Sequence, residues 1–151
     1  DALSESSAIL GLVYGLITLI SGSIWANATW GVYWNWDPRE TTTLILWFAY
    51  LGYFLLRMSI ENPERRASSA AVFNTLAFLT VPLSYVSFII WPSLHPQLGG
   101  ENGGLGLTGT MVQALVMNII GGVFVFGYVL KKTYDLRIKR NEYNSRMMEE
   151  I

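Results

Sequence analysis

No cysteine occurs anywhere in the 151 residues, and that absence removes several chemistries at once. Disulfides, a thiolate metal site and a redox dithiol are excluded, and no Cys-x-x-Cys-His run is present to attach a prosthetic group covalently. Charge is scarce as well. Charged residues make up 14% of the chain, against roughly 25% in an average soluble domain. They nearly cancel to a net −1, which gives no reason to expect nucleic acid or an acidic substrate as a partner. Residues 1–25 lack the basic start and the small-residue cleavage site of a signal peptide, opening instead with Asp1 and Glu5. A first residue other than methionine leads us to expect part of a longer chain.

What the chain has in abundance is apolar sequence: 52% hydrophobic residues and a mean hydropathy of +0.35. A helix crossing a bilayer needs about 20 mostly apolar residues, since roughly 30 Å of hydrocarbon is covered at about 1.5 Å per residue. Four stretches qualify, at about 8–25, 41–60, 69–91 and 110–130. None alternates with the two-residue period of a barrel strand. The predicted fold is therefore an all-α integral membrane protein, a bundle of four transmembrane helices, with 131–151 as a basic tail.

Orientation follows from the scarce cations. Arg57, Arg65 and Arg66 flank the second connection, and Lys131, Lys132, Arg137, Lys139 and Arg140 follow the last span. The connections at about 26–40 and 92–109 hold one basic residue, Arg39. Positive charge prefers the cytoplasm, so both termini and the Glu61–Arg66 turn are predicted inside and the two other connections outside. The tail reads as a solvated basic helix able to lie against anionic lipid. Within the spans, Gly11, Gly15, Gly121 and Gly122 are expected to allow close helix approach, and Asn74, Gln113 and Asn118 to hydrogen-bond between helices. Asn118, near mid-membrane, is the one among them with most scope for a function. Pro82 is expected to kink the third span.

The segment Thr29-Trp30-Gly31-Val32-Tyr33-Trp34-Asn35-Trp36-Asp37-Pro38-Arg39-Glu40-Thr41 packs three tryptophans into seven residues. On this topology Trp25, Trp47 and Trp91 also lie toward the outer side, where a membrane-interface belt accounts for each singly. Trp30, Trp34 and Trp36 read differently, because a loop this aromatic suits covering something flat and apolar. Trp34 and Trp36 share a face if the loop is extended, Trp30 and Trp34 if it is helical, and Gly31 lets the backbone approach a ligand. Asp37, Pro38 and Glu40 read as N-cap, N1 and N3 of the second span, a capping box that fixes the helix start more readily than it transfers protons. Arg39 is placed either to pair with a carboxylate or phosphate or to contact lipid headgroups.

His95, the single histidine, follows the third span between Pro92 and Pro96. The prolines limit its backbone. A lone loop histidine is ordinarily a surface residue, yet this one shares a side with the tryptophan loop, and imidazole is a common axial ligand of haem iron. Indoles for a ring, Arg39 for a propionate and His95 for iron together suit an amphipathic porphyrin. The glycine-rich 99–109 stretch lacks the lysine and context of a phosphate-binding loop and reads as a mobile outer connection.

The run Trp30-Gly31-x-x-Trp34-x-Trp36-Asp37 resembles the tryptophan-rich signature of the haem-handling proteins of cytochrome c maturation, of CcmC and CcsA types. Val81-Pro82-Leu83-Ser84-Tyr85-Val86-Ser87, with Trp91 and Leu94-His95-Pro96, is similar to the later part of CcmC, where a loop histidine is an axial haem ligand. The resemblance extends to about Leu130 and makes 1–130 a transmembrane haem-handling domain. It implies non-covalent b-type haem bound by Trp30, Gly31, Trp34, Trp36, Asp37, Arg39 and His95, with His95 on the metal. It also implies a plasma (inner) membrane location and presentation of haem at the outer face to the chaperone CcmE, with CcmD and the CcmA/CcmB transporter as partners. Such a protein is a carrier rather than an enzyme. CcmC proteins have six spans and a second axial histidine between the first two; this chain resembles spans three to six, so that ligand has no counterpart. Either it lies upstream, or haem is held by His95 alone or with a partner's ligand. Asp37-Pro38-Arg39-Glu40-Thr41 is closer to the CcsA branch, which acts in haem attachment to apocytochrome. A structural or permease subunit anchored by its tryptophans is the third reading.

Overall fold

The computed structural model describes residues 1–95 and 108–149. Five helices account for most of them: α1 Ala2–Trp30, α2 Pro38–Ser59, α3 Pro63–Phe78, α4 Thr80–Ile90 and α5 Gly109–Glu149. Four helical segments are long and apolar enough to cross a membrane, with α3 and α4 together forming the third. The chain is thus all-helical among its described residues and carries four membrane-spanning candidates, as its hydropathy requires.

The helices outrun the apolar stretches because their ends are capped locally. α2 begins at Pro38, where Asp37 accepts from the Arg39 N–H and proline occupies the first turn. α3 begins six residues before the expected third span, with the Asn62 side chain accepting from Arg65 N at 3.0 Å. α1 stops at Gly31, whose φ of 79° is the left-handed geometry that ends helices without a Cβ penalty. α5 has no break at Leu130. Its 41 residues run on for roughly 60 Å at ~1.5 Å per residue, so the basic tail is a continuation of the same helix.

The kink expected at Pro82 falls three residues earlier. Pro82 has no N–H for the Phe78 carbonyl, and its ring crowds that carbonyl. The ladder is interrupted there: Leu79 N bonds back to Leu76 O at 3.1 Å, three residues away, and the helix resumes at Thr80.

The chain divides into two units, residues 11–97 and residues 1–10 with 98–151. In the first unit α2 packs on both α3 and α4, and α3 on α4. Two hydroxyl pairs join α2 to α4, Thr42 with Ser87 and Thr43 with Ser84, each at 3.0 Å. Such pairs contribute about 0.6 kcal/mol each in a membrane. Tyr53 is fully buried, with the guanidinium of buried Arg57 5.6 Å from its ring centroid. In the other unit, Arg137 forms an ion pair with Glu5.

Glycine separates into two behaviours. A Cβ on Gly15 would lie 3.0 Å from Trp47 Cδ1, and one on Gly52 3.2 Å from Phe73 Cζ. Gly11, Gly121 and Gly122, expected to serve the same purpose, face open space in the described structure. Asn118 does not bridge helices either; its amide donates to Ala114 O of its own helix at 2.8 Å. Trp47 also departs from the expected interface belt. It lies nine residues beyond Pro38, about 14 Å along α2, and its Nε1 donates to Leu12 O at 3.0 Å. The indole therefore ties α2 to α1 well inside the span.

Gly15→Leu should drive a side chain into the Trp47 indole and destabilise the detergent-solubilised protein by about 1–3 kcal/mol. Gly11→Leu, made into open space, should change the melting temperature little. Equal effects of the two substitutions in a thermal melt would refute the Gly15–Trp47 contact.

Candidate functional site

The loop between α1 and α2 is held by its own polar side chains. Ser23 Oγ donates to Tyr33 O at 2.7 Å, tying the loop back to α1. Asn35 Oδ1 accepts from Asp37 N, and Glu40 Oε2 accepts from Asn35 N, each at 3.1 Å. The expected capping box is thus only half made: Asp37 caps α2, while Glu40 reaches past the cap residue to Asn35. Thr41 Oγ1 donates to Trp36 O at 3.2 Å. These bonds hold Trp36 at φ 62°, a left-handed conformation unusual for a bulky residue, with its side chain 70% exposed.

Asp37, only 5% exposed, is the centre of the site. Its Oδ1 accepts from Arg39 N at 2.9 Å and lies 2.9 Å from His95 Nδ1. Its Oδ2 accepts from Leu94 N at 2.7 Å, and Ser93 Oγ sits 2.9 and 2.8 Å from the two oxygens. Burial by itself would raise the Asp37 carboxyl. The Ser93 hydroxyl, the Leu94 and Arg39 N–H groups and the His95 ring outweigh it and hold the group below its ordinary value of 3.8. An ionised carboxylate can only accept, so His95 Nδ1 carries the proton of this bond, and in a neutral ring the lone pair is then on Nε2.

Around that imidazole stand aromatic walls. Trp30 meets the His95 ring edge-on at 4.9 Å between centroids, Trp25 meets Trp30 at 5.0 Å, and Trp25 lies 6.5 Å from His95. Trp34 and Trp36 form a separate perpendicular pair at 5.8 Å. A small cleft, open to solvent, runs between α1 and α2 and is lined by Gly22, Trp25, Trp34, Arg39, Thr43 and His95 among others.

The structure therefore brings Trp30, Trp34, Asp37, Arg39 and His95 into one neighbourhood. Trp36 presents its indole outward, and Gly31 acts as the stop of α1. Trp25 leaves the role of interface anchor and joins the wall beside His95. Sequence reasoning missed Ser93 altogether, although a serine two residues before a loop histidine carries a local signal: His95 N donates to Ser93 Oγ at 3.1 Å, a turn that serine readily makes. Prolines do not by themselves aim the histidine; the carboxylate does. Pro96 and 99–107 of the glycine-rich stretch lie outside the described residues. Among the described residues no three His, Cys, Asp or Glu side chains converge on a point.

Because the folded carboxyl is depressed, its contribution to stability is present above pH 3.8 and is lost as pH falls through the lower folded value. Asp37→Asn should lower stability at neutral pH by about 1.5–3 kcal/mol, the magnitude of a hydrogen bond to a charged group. In melts followed by tryptophan fluorescence, the gap between the two proteins should narrow as the pH is taken below 3.8. A gap that stays constant with pH would count against an ionised Asp37.

The chain has relatives among known proteins. The family model described as Heme exporter protein C, CcmC, matches residues 1–149. The Heme exporter protein C of Bradyrhizobium diazoefficiens is 30% identical over 152 residues, covering 100% of this chain and 56% of the relative. That of Rhodobacter capsulatus is 34% identical over 144 residues, 91% of this chain and 58% of the relative. The Cytochrome c biogenesis protein CcsA of Prochlorococcus marinus is 41% identical over 86 residues, 57% of this chain and 27% of that protein. The chain spans a little over half the length of the curated Heme exporter relatives it matches. It belongs to the CcmC family.

Proposed function

We propose that the protein binds haem non-covalently through His95 and the tryptophan wall and hands it on during cytochrome c biogenesis. The observation that carries this reading is the Asp37 carboxylate 2.9 Å from His95 Nδ1, which would leave Nε2 to hold the iron. A carboxylate on the distal nitrogen is the arrangement metal-ligating histidines use to fix tautomer and raise basicity. The residues present fit the group. His95 would take the iron, Trp30 and Trp34 would flank the ring, Trp36 would offer an exposed indole face, and Arg39 would meet a propionate. Bound haem would supply an iron centre whose second ligand comes from elsewhere, and the protein's part is to hold, orient and release it.

On this reading the tryptophan loop and His95 lie on the outer face of the inner membrane, with both termini cytoplasmic, because the basic residues gather at the other end of the spans. Haem is then offered to a chaperone of CcmE type, with CcmD and a CcmA/CcmB transporter as associates. A second reading is favoured by the 41% identity to a CcsA protein over 86 residues: participation in haem attachment to an apocytochrome. A covalent product from the protein, reduced haem and a Cys-x-x-Cys-His peptide would select that reading over simple carriage.

Visible spectra of the detergent-purified protein titrated with hemin test the common part. His95→Ala should weaken binding at least tenfold, since loss of a mere outer partner of such a ligand costs roughly 10–100-fold, and should change the axial-ligand bands. An unchanged spectrum and affinity would remove His95 as the ligand.

A further inference from the structure

We propose that Ser93 is a positioning residue for His95, locking the imidazole through Asp37 so that Nδ1 is committed to the carboxylate and Nε2 is the nitrogen left for a ligand. The inference rests on the haem reading for its purpose, but its geometry concerns this chain's own atoms.

The Ser93 side chain touches both ends of the clamp. Its Oγ lies 2.9 and 2.8 Å from the two Asp37 oxygens and accepts from the His95 backbone N–H at 3.1 Å. A hydroxyl has one proton and two lone pairs. With an ionised carboxylate on one side and an N–H on the other, its proton must go to Asp37 and a lone pair to His95. The hydroxyl rotor is thereby fixed, and with it the direction of every bond in the triangle Ser93–Asp37–His95.

The consequences run along the chain. His95 follows Trp91, which ends α4 by donating to Ser87 O, and no helix holds the four residues from Pro92 to His95. Their attachment to α2 is the set of bonds to Asp37, from Ser93, Leu94 and His95. Without the Ser93 hydroxyl, Asp37 loses a donor that spans both its oxygens, and the His95 N–H loses its acceptor. The imidazole is then free to rotate, to exchange tautomers and to turn Nδ1 away from Asp37. A ligand that must present one nitrogen to iron needs that freedom removed beforehand.

The chain's single histidine makes the test direct. Histidine-selective ¹⁵N labelling of the full chain in detergent gives one imidazole, whose two nitrogens report tautomer and hydrogen bonding with no haem present. Wild-type protein should show a single Nδ1–H form. Ser93→Ala should show the averaged signals of an unrestrained ring, with hemin affinity lowered about tenfold, and Ser93→Thr, which keeps the hydroxyl, should restore both to near wild-type. Reduction potentials of the hemin-loaded proteins should group Ser93→Thr with wild-type and Ser93→Ala apart from them. If Ser93→Ala loses helix content by circular dichroism, Ser93→Cys, a weak donor of similar volume, takes its place. Unchanged imidazole signals in the hydroxyl-less variant would overturn the proposal. A tautomer fixed in the wild-type protein and lost in Ser93→Ala, with no hemin bound by either, would uphold the Ser93 role and count instead against haem binding by this chain alone.

Discussion

A buried carboxylate must be satisfied on both oxygens or it destabilises whatever contains it, and Asp37 meets that demand by gathering donors from two distant parts of the chain. One set comes from the first turn of α2, where the Arg39 N–H needs an acceptor in any case. The other comes from the segment after α4, through Ser93, Leu94 and His95. The helix start, the seating of the loop and the tautomer of the sole histidine are consequently one event. Protonation would set an O–H against donors already aimed at its oxygens, and those donors hold the carboxyl below its ordinary value.

The membrane part beneath it is built on a different principle. Lipid supplies no hydrophobic drive between helices, so close approach and hydroxyl pairs must hold them. Gly15 lets the Trp47 indole reach the Leu12 carbonyl, and the pairs Thr42–Ser87 and Thr43–Ser84 join α2 to α4. Those pairs lie in the first turns of α2 and toward the end of α4. The segment bearing Ser93 and His95 therefore emerges from a helix already fixed against the one that starts at Asp37. A short tether between two clamped points has little room to wander, which is what lets hydrogen bonds of ordinary length aim an imidazole.

Much of the fold was legible because hydropathy and capping are local. Four apolar stretches became four spanning segments, and the Asp37-Pro38 pair marks the start of α2 by its residue types alone. What could not be read depends on which face of a helix meets which neighbour. Gly11 and Gly15 differ by one turn and look alike in sequence, yet only Gly15 meets a tryptophan. Trp47 looked like an interface anchor because its partner, Leu12, lies 35 residues away. The tryptophan loop and His95 were marked by composition, whereas the bond between Asp37 and Ser93 crosses 56 residues, a pairing no local pattern encodes.

The aromatic residues divide along the same line. Trp25 and Trp30 are held by α1 and meet the histidine ring, so they can set its surroundings. Trp36 is held out on a backbone angle that costs a non-glycine residue about 1–3 kcal/mol, and its exposed indole recovers little of that through burial. Asn35, Glu40 and Thr41 supply the hydrogen bonds that offset it. A rigid wall beside the histidine ring and an apolar plate raised toward solvent are different tools. On the haem reading proposed above, the first would favour a fixed geometry at the iron and the second would leave one face of a flat ligand open to another protein, a combination suited to holding a porphyrin that must later be given up.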